Sequence, residues 1–135
     1  MIARPSIFCK RSTRNQGVCY TCVVKIIKKP TTKAALMRLA RGQFGNLVKA
    51  VVDVDNGIIA IGGELHADEE ALLLEQGSKQ EHLWGINIYP ELGSEDWIEF
   101  DSMINLRPAA GNMSRRVEDP KIREKIITIV TRLIQ

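Results

Sequence analysis

Two apolar segments flank an Asn-Gly pair in the middle of the chain. Residues 47–54 and 58–65 surround Asn56-Gly57, the dipeptide that best tolerates the positive φ angles of a two-residue hairpin turn. Such a turn pairs Val54 with Ile59 and Val52 with Ile61. The pattern therefore predicts a β-hairpin with one apolar face toward the core.

The rest of the pattern predicts three helices, a lead-in strand and a second hairpin. Side chains that begin helices stand at Thr31 or Thr32 and at Asp119, which precedes Pro120. The acidic run 68–70 suits the start of a further helix. The expected elements are, in chain order, a short strand at 24–27, a helix to residue 43, the hairpin above, a helix from 68 to 77, strands at 83–89 and 97–106, and a helix from 120 to the C-terminus.

The order of these elements defines the fold class. The chain reads α-ββ-α-ββ-α, which predicts an α+β fold with a mainly antiparallel sheet of two β-hairpins and helices on one face. At 135 residues the chain has the usual size of one domain. We assign that domain to residues 24–135.

The first 22 residues differ from the remainder. They are rich in basic and small polar residues, contain Cys9, Cys19 and Cys22, and lack helical or strand periodicity. We interpret them as a disordered extension or as the product of a start codon assigned too far upstream. An Arg-rich transit peptide, or half of a zinc or redox site at Cys19 and Cys22, are the alternatives.

Composition narrows the compartment and the partners. Three cysteines argue against a secreted disulfide framework, and no apolar run approaches the ~20 residues that cross a bilayer, so we expect a soluble cytoplasmic protein with no membrane partner.

All 16 acidic residues lie at or beyond Asp53, whereas 11 of the 19 Lys and Arg precede it. The basic block could attract a polyanion, but we favour neutralisation of one block by the other in the fold. The small number of aromatic residues, 7, disfavours a nucleic-acid surface built on stacking.

Polar residues alternate with apolar ones on the predicted strands. If both hairpins join one sheet, its polar face carries Asp53, Glu64, His66, Asp101, Asn105 and Arg107. The candidate catalytic residues are Glu64, His66, Asp101, Asn105 and Arg107. Glu64 or Asp101 would act as the general base, His66 as the acid or a metal ligand, and Arg107 would bind an anionic substrate or developing charge. Asp53, Glu64 and His66 are also candidate ligands of a divalent metal.

Two alternatives stand beside this site. An antiparallel sheet often keeps one polar face in solvent without any function, and we consider this the more frequent case. A bulge at Gly62-Gly63 would instead move Glu64 and His66 to the other face.

A second candidate site lies in the loop before the last helix. Asn112, Ser114, Arg115 and Arg116 could bind a phosphate through backbone N–H groups and two guanidinium groups. The loop lacks the spacing and the lysine of a P-loop, and its arginines could simply neutralise Glu118.

Several strings of the sequence are distinctive. They are GGELHADEE at 62–70, LWGINIYP at 83–90 and IEFDSMINLRP at 98–108, continued by GN at 111–112 and VEDP at 117–120. With these strings the chain resembles, from about residue 24 to residue 135, an uncharacterised family of small prokaryotic proteins catalogued only as a domain of unknown function. The resemblance implies no activity.

The residues thus lead to two functional expectations. The first is a small-ligand or catalytic domain, with hydrolysis as the reaction, that uses the polar sheet face to hold a small anionic or metal-linked substrate. The alternative is a non-enzymatic regulatory module that binds a partner protein or a nucleic acid.

Overall fold

The structure is a computed structural model that describes residues 24–93 and 95–135. The predictions for residues 1–22, including those for the three cysteines, lie outside this range. The strands are β1 (Lys25–Ile27), β2 (Val48–Asp53), β3 (Ile58–Ile61), β4 (Leu83–Ile88) and β5 (Ile98–Glu99), and the helices are α1 (Lys33–Gly42), α2 (His66–Glu75) and α3 (Pro120–Leu133). None of the helices in the described part of the chain has the length and apolarity needed to cross a membrane.

The five strands form one antiparallel sheet in the order β1-β3-β2-β4-β5. β2 and β4 lie at its centre, joined along their whole lengths from Val48↔Ile88 to Asp53↔Leu83. The predicted α+β class and the antiparallel sheet are therefore confirmed.

The first hairpin forms where expected, but its turn is longer than predicted. Val52 pairs with Ile59 and Asp53 with Ile58, so four residues rather than two connect the strands. The carboxylate of Asp53 accepts hydrogen bonds from the backbone N–H groups of Asp55 and Asn56 at 2.9 and 3.0 Å, which builds the wider turn. Because the register moves by two residues, each side chain keeps its predicted face.

Both faces of the sheet are covered, which corrects the prediction that the helices share one face. α1 and α3 pack on the first face, where the core includes Leu36, Ile126, Val52 and Ile86. α2 lies on the second face, where its buried Leu73 packs with a smaller cluster of Val51, Ala60 and Leu83. The small side chains at these strand positions leave room for the helix.

The second hairpin is much shorter than predicted. Only Ile98–Glu99 form a strand, and the chain then enters 3-10 turns at Met103–Asn105 and Pro108–Ala110. The side chain of Ser102 begins the first turn by accepting from the backbone N–H of Ile104 at 3.3 Å. Residues 97–106 therefore do not form one long strand whose side chains alternate between the two sheet faces.

Two of the helix starts agree with the sequence. Thr32 caps α1 by accepting from the N–H of Ala35, and Asp119 caps α3 by accepting from the N–H of Lys121. α2 begins two residues earlier than expected, at His66. This shift places His66 and Glu69 one helical turn apart and turns both toward the sheet, where they are buried.

Candidate functional site

Asn105, predicted to be catalytic, completes the hydrogen bonding of β4. Its Oδ1 accepts from the N–H of Gly85 at 2.8 Å, and its Nδ2 donates to the carbonyl of Gly85 at 3.0 Å and to that of Arg115 at 2.9 Å. The buried amide thus occupies the place of a strand partner where β5 has already ended. This geometry gives Asn105 a structural role.

Arg107, the expected substrate-binding residue, also hydrogen-bonds to the edge of β4, at Leu83. Its guanidinium donates to the carbonyls of Leu83 and Glu81, its Nε donates to that of Ile104 at 3.2 Å, and the group lies 4.5 Å from the ring centre of Trp84. Burial lowers the pKa of Arg107 from its ordinary value, although the group remains a cation. Its donors are directed at the protein's own backbone rather than at a substrate.

Asp53 is likewise used by the fold. Besides the two backbone N–H groups of the turn, its carboxylate accepts from Asn56 Nδ2 at 2.8 Å and from the hydroxyl of Ser78 at 2.6 Å. Burial alone would raise its pKa, but these hydrogen bonds outweigh burial and hold the pKa below its ordinary value. Asp53 is therefore a turn-forming carboxylate.

The predicted metal site is not assembled. Asp53 uses its oxygens in the turn, and His66 is bound to the carbonyl of Ile86 on β4. Glu64, half-buried between β3 and α2, makes no hydrogen bond or ion pair within residues 24–93 and 95–135. The same residues contain no group of three or more His, Cys, Asp or Glu side chains placed to hold a metal ion.

The predicted phosphate loop turns Asn112 inward and leaves the side chains of Arg115 and Arg116 exposed. Asn112 is buried, and its Nδ2 donates to the carbonyls of Asn105, Ser114 and Arg116 while its Oδ1 accepts from the N–H of Glu118. The hydroxyl of Ser114 accepts from the N–H of Arg116 at 3.2 Å. Since the loop closes on its own backbone, it does not present the ring of free N–H groups that a phosphate needs.

A polar row crosses the end of the second sheet face, at the start of α2. It consists of Lys49 on β2, Asn87 on β4 and Glu99 on β5, which are direct cross-strand neighbours. Asn87 Nδ2 donates to Glu99 Oε1 at 2.9 Å, and the Tyr89 hydroxyl donates to the same oxygen at 3.0 Å. The buried Oδ1 of Asn87 has no hydrogen-bond partner within the described ranges.

His66 lies beside this row at the first position of α2. Its Nε2 is 2.8 Å from the carbonyl oxygen of Ile86, and because a carbonyl only accepts, Nε2 carries the proton. Burial lowers the pKa of His66 to about 4, so the imidazole is neutral at physiological pH. The lone pair of its Nδ1 has no hydrogen-bond partner among the residues that the structure describes. The charges of Lys49, Asp101 and Arg115 all act on this imidazole.

Gly85 makes this position of His66 sterically possible. A Cβ built on Gly85 would lie 2.5 Å from Ser102 Cβ and 3.2 Å from His66 Cδ2. The absence of a side chain therefore allows both residues to pack directly on β4.

Glu69, one turn after His66, is fully buried. Its Oε2 accepts from the N–H of Gly63 at 2.8 Å, while Oε1 has no partner in the described part of the chain. Burial raises the pKa of Glu69 well above its ordinary value, against the smaller opposing effects of the Gly63 hydrogen bond and the charge of Lys49. The same peptide group is held from its other side by Gln43, whose Nε2 donates to the carbonyl of Gly62 at 2.7 Å.

An exposed ion pair borders the site. Arg115 Nε lies 2.8 Å from Asp101 Oδ1, so two residues predicted for separate sites meet here. We name the resulting set the polar cluster, which comprises Lys49, His66, Glu69, Asn87, Glu99, Asp101 and Arg115.

Of the residues predicted for the two sites, the polar cluster retains His66, Asp101 and Arg115. Sequence reasoning missed Lys49, Glu69, Asn87 and Glu99. A signal for Glu69 was present, because it lies four positions before the buried Leu73 and so belongs to the buried side of α2.

Fold and site together define a class: an α+β domain whose antiparallel sheet is covered on both faces and carries a mixed-charge cluster under the start of one helix. The family model described as "Protein of unknown function (DUF5674)" matches residues 25–133, and the chain belongs to this family. No curated protein matches the chain, and no solved structure matches it either.

Proposed function

We propose that this domain binds a small anionic ligand at the polar cluster. The observation that carries the proposal is the position of Lys49, whose charge acts on both His66 and Glu69. Within the described residues, its ammonium group has no carboxylate within 4 Å. A partly buried cation without a counter-ion favours binding of an anion.

The acidic residues of the polar cluster are already engaged. Asp101 pairs with Arg115, and Glu99 accepts hydrogen bonds from Asn87 and Tyr89. The raised pKa of Glu69 favours its neutral form. We therefore propose that the positive charge of Lys49 is the group that attracts the anionic ligand.

The cluster also suits proton transfer, and we propose hydrolysis as its reaction class. The lone pair of His66 Nδ1 can take a proton from the attacking water and then return it to the leaving group.

Ligand binding can be tested by thermal unfolding of the full chain with inorganic phosphate, sulfate or acetate. An anion at ~100 times its dissociation constant adds about 2.7 kcal/mol of stability, which raises the midpoint by several degrees. We expect such a rise for at least one anion and its loss in Lys49→Gln. The matched control is Lys33→Gln, because Lys33 also lies over an aromatic ring, that of Trp97 at 4.4 Å, as Lys49 lies over Phe44 at 5.3 Å.

Two results would refute ligand binding at this site. One is a midpoint that none of the three anions raises. The other is an equal rise in the wild type and Lys49→Gln, which would place the anion elsewhere. The hydrolytic step is tested separately with ester and phosphoester substrates, where His66→Gln should abolish turnover and retain the rise with anion.

A further inference from the structure

The two edges of the sheet are treated differently. At the β4 edge, the side chains of Asn105 and Arg107 take the hydrogen bonds that the short β5 leaves open. At the opposite edge, β1 pairs with β3 from Lys25↔Ile61 to Ile27↔Ile59, and no further strand pairs with β1 within the described ranges. The β1 edge therefore offers backbone groups to an added strand.

A groove of about 370 Å³ runs along this open edge, between β1 and α1. Its apolar lining includes Ile27, Leu36, Leu39 and Ile61. Three exposed lysines, Lys25, Lys28 and Lys29, also line it, and none forms an ion pair with a described residue. The lining contains no acidic residue.

We propose that the β1 edge docks an extended acidic segment of a partner protein, which adds to the sheet as a sixth strand. In this mode, main-chain hydrogen bonds to the edge supply affinity, and alternate side chains supply specificity. Apolar side chains on one side of the added strand would enter the groove. Carboxylates on the other positions would meet the three lysines.

The three lysines and the apolar groove disfavour two other partners, a second copy of this chain and a nucleic acid. Two copies of this chain paired through β1 would bring their lysines together, which is unfavourable. A nucleic acid would use the lysines but not the apolar floor of the groove. Short length and lysines protect an edge from unselective pairing, so an acidic strand is the partner that this edge admits.

The experiment measures binding of a fluorescently labelled eight-residue peptide, alternating Glu with Val or Leu, to the full chain by fluorescence polarisation. We expect saturable binding that weakens with added salt. The double variant Lys28→Glu, Lys29→Glu should weaken it at least tenfold. Its matched control is Lys121→Glu, Lys125→Glu, which reverses two exposed lysines on α3 and should bind like the wild type.

Two control peptides separate strand addition from simple charge attraction. Methylation of alternate backbone nitrogens should abolish binding, because it removes main-chain donors and keeps every charge. A peptide with Lys in place of Glu should not bind. Both double variants should unfold at nearly the wild-type midpoint, which shows that the measured losses arise at the surface.

Three outcomes would overturn the proposal: no binding at millimolar peptide, equal binding by the methylated or the Lys peptide, and unchanged binding by Lys28→Glu, Lys29→Glu. Displacement of the peptide by a single-stranded oligonucleotide of equal charge would also overturn it, in favour of a nucleic-acid surface. Because Lys49 lies on the second face and the groove on the first, failure here leaves the proposed anion site untouched.

Discussion

At the scale of single residues, the chemistry of the polar cluster depends on burial. By residue type alone, His66 and Glu69 cannot be distinguished from exposed histidines and glutamates. In the structure, α2 buries both of them against the sheet. Burial disfavours the charged form of each, which lowers the pKa of the histidine and raises that of the glutamate. The residue types were visible in the sequence, whereas the protonation states follow from packing.

These opposite shifts predict how stability depends on pH. The pKa of His66 is about 4 in the folded protein and about 6.5 when unfolded. The contribution of His66 to the free energy of unfolding is complete above pH 6.5. About 3 kcal/mol of it is lost as the pH falls toward 4. Glu69 acts in the other direction, since its contribution is present below its unfolded pKa and is lost as the pH rises through the folded value.

Urea unfolding of the wild type, His66→Gln and Glu69→Gln across this pH range checks the prediction. His66→Gln should lose less stability than the wild type as the pH falls from 6.5 to 4. Glu69→Gln should gain stability relative to the wild type as the pH rises above about 4.5. Parallel profiles for all three proteins would show that neither group is buried as described.

At the scale of elements, the part of β4 that β5 does not cover shows what a sequence pattern can conceal. The alternation over residues 97–106 predicted a long last strand, but β5 ends at Glu99. Side chains of Asn105 and Arg107 then replace the backbone partners of Gly85 and Leu83. An asparagine that pairs with a distant strand looks the same in the sequence as one that faces a substrate.

Asn105→Ala distinguishes these two roles. The truncation leaves the buried N–H and carbonyl of Gly85 and the carbonyl of Arg115 without their partner, at about 1–3 kcal/mol for each unsatisfied group. We therefore expect a loss of about 3 kcal/mol or more in denaturant unfolding. Asn46→Ala, at an exposed turn position, is the matched control and should stay close to the wild type. A stable Asn105→Ala protein would restore the functional interpretation.

At the scale of the whole molecule, the sequence predicted the fold class, the central hairpin and most helix starts, because these depend on local signals. It did not predict that the sheet is covered twice. One signal was available: LWGINI at 83–88 is almost continuously apolar, which is typical of a strand buried on both faces, and all six residues of β4 are buried. Val51 and Ala60 lie on the same face as Asp53, and the structure buries both of them against Leu73 of α2.

The position of α2 on the second face can be tested with two adjacent leucines of the same helix. Leu73 is fully buried against the sheet, and its neighbour Leu74 is 40% exposed. Leu73→Ala should cost about 2–5 kcal/mol, because it leaves a cavity between α2 and the sheet. Leu74→Ala should cost about 1 kcal/mol or less, since 40% of the residue is already in water in the folded state and the truncation leaves no enclosed cavity. Equal losses would mean that α2 does not cover this face, and the polar cluster built under its first turn would then lose its structural basis.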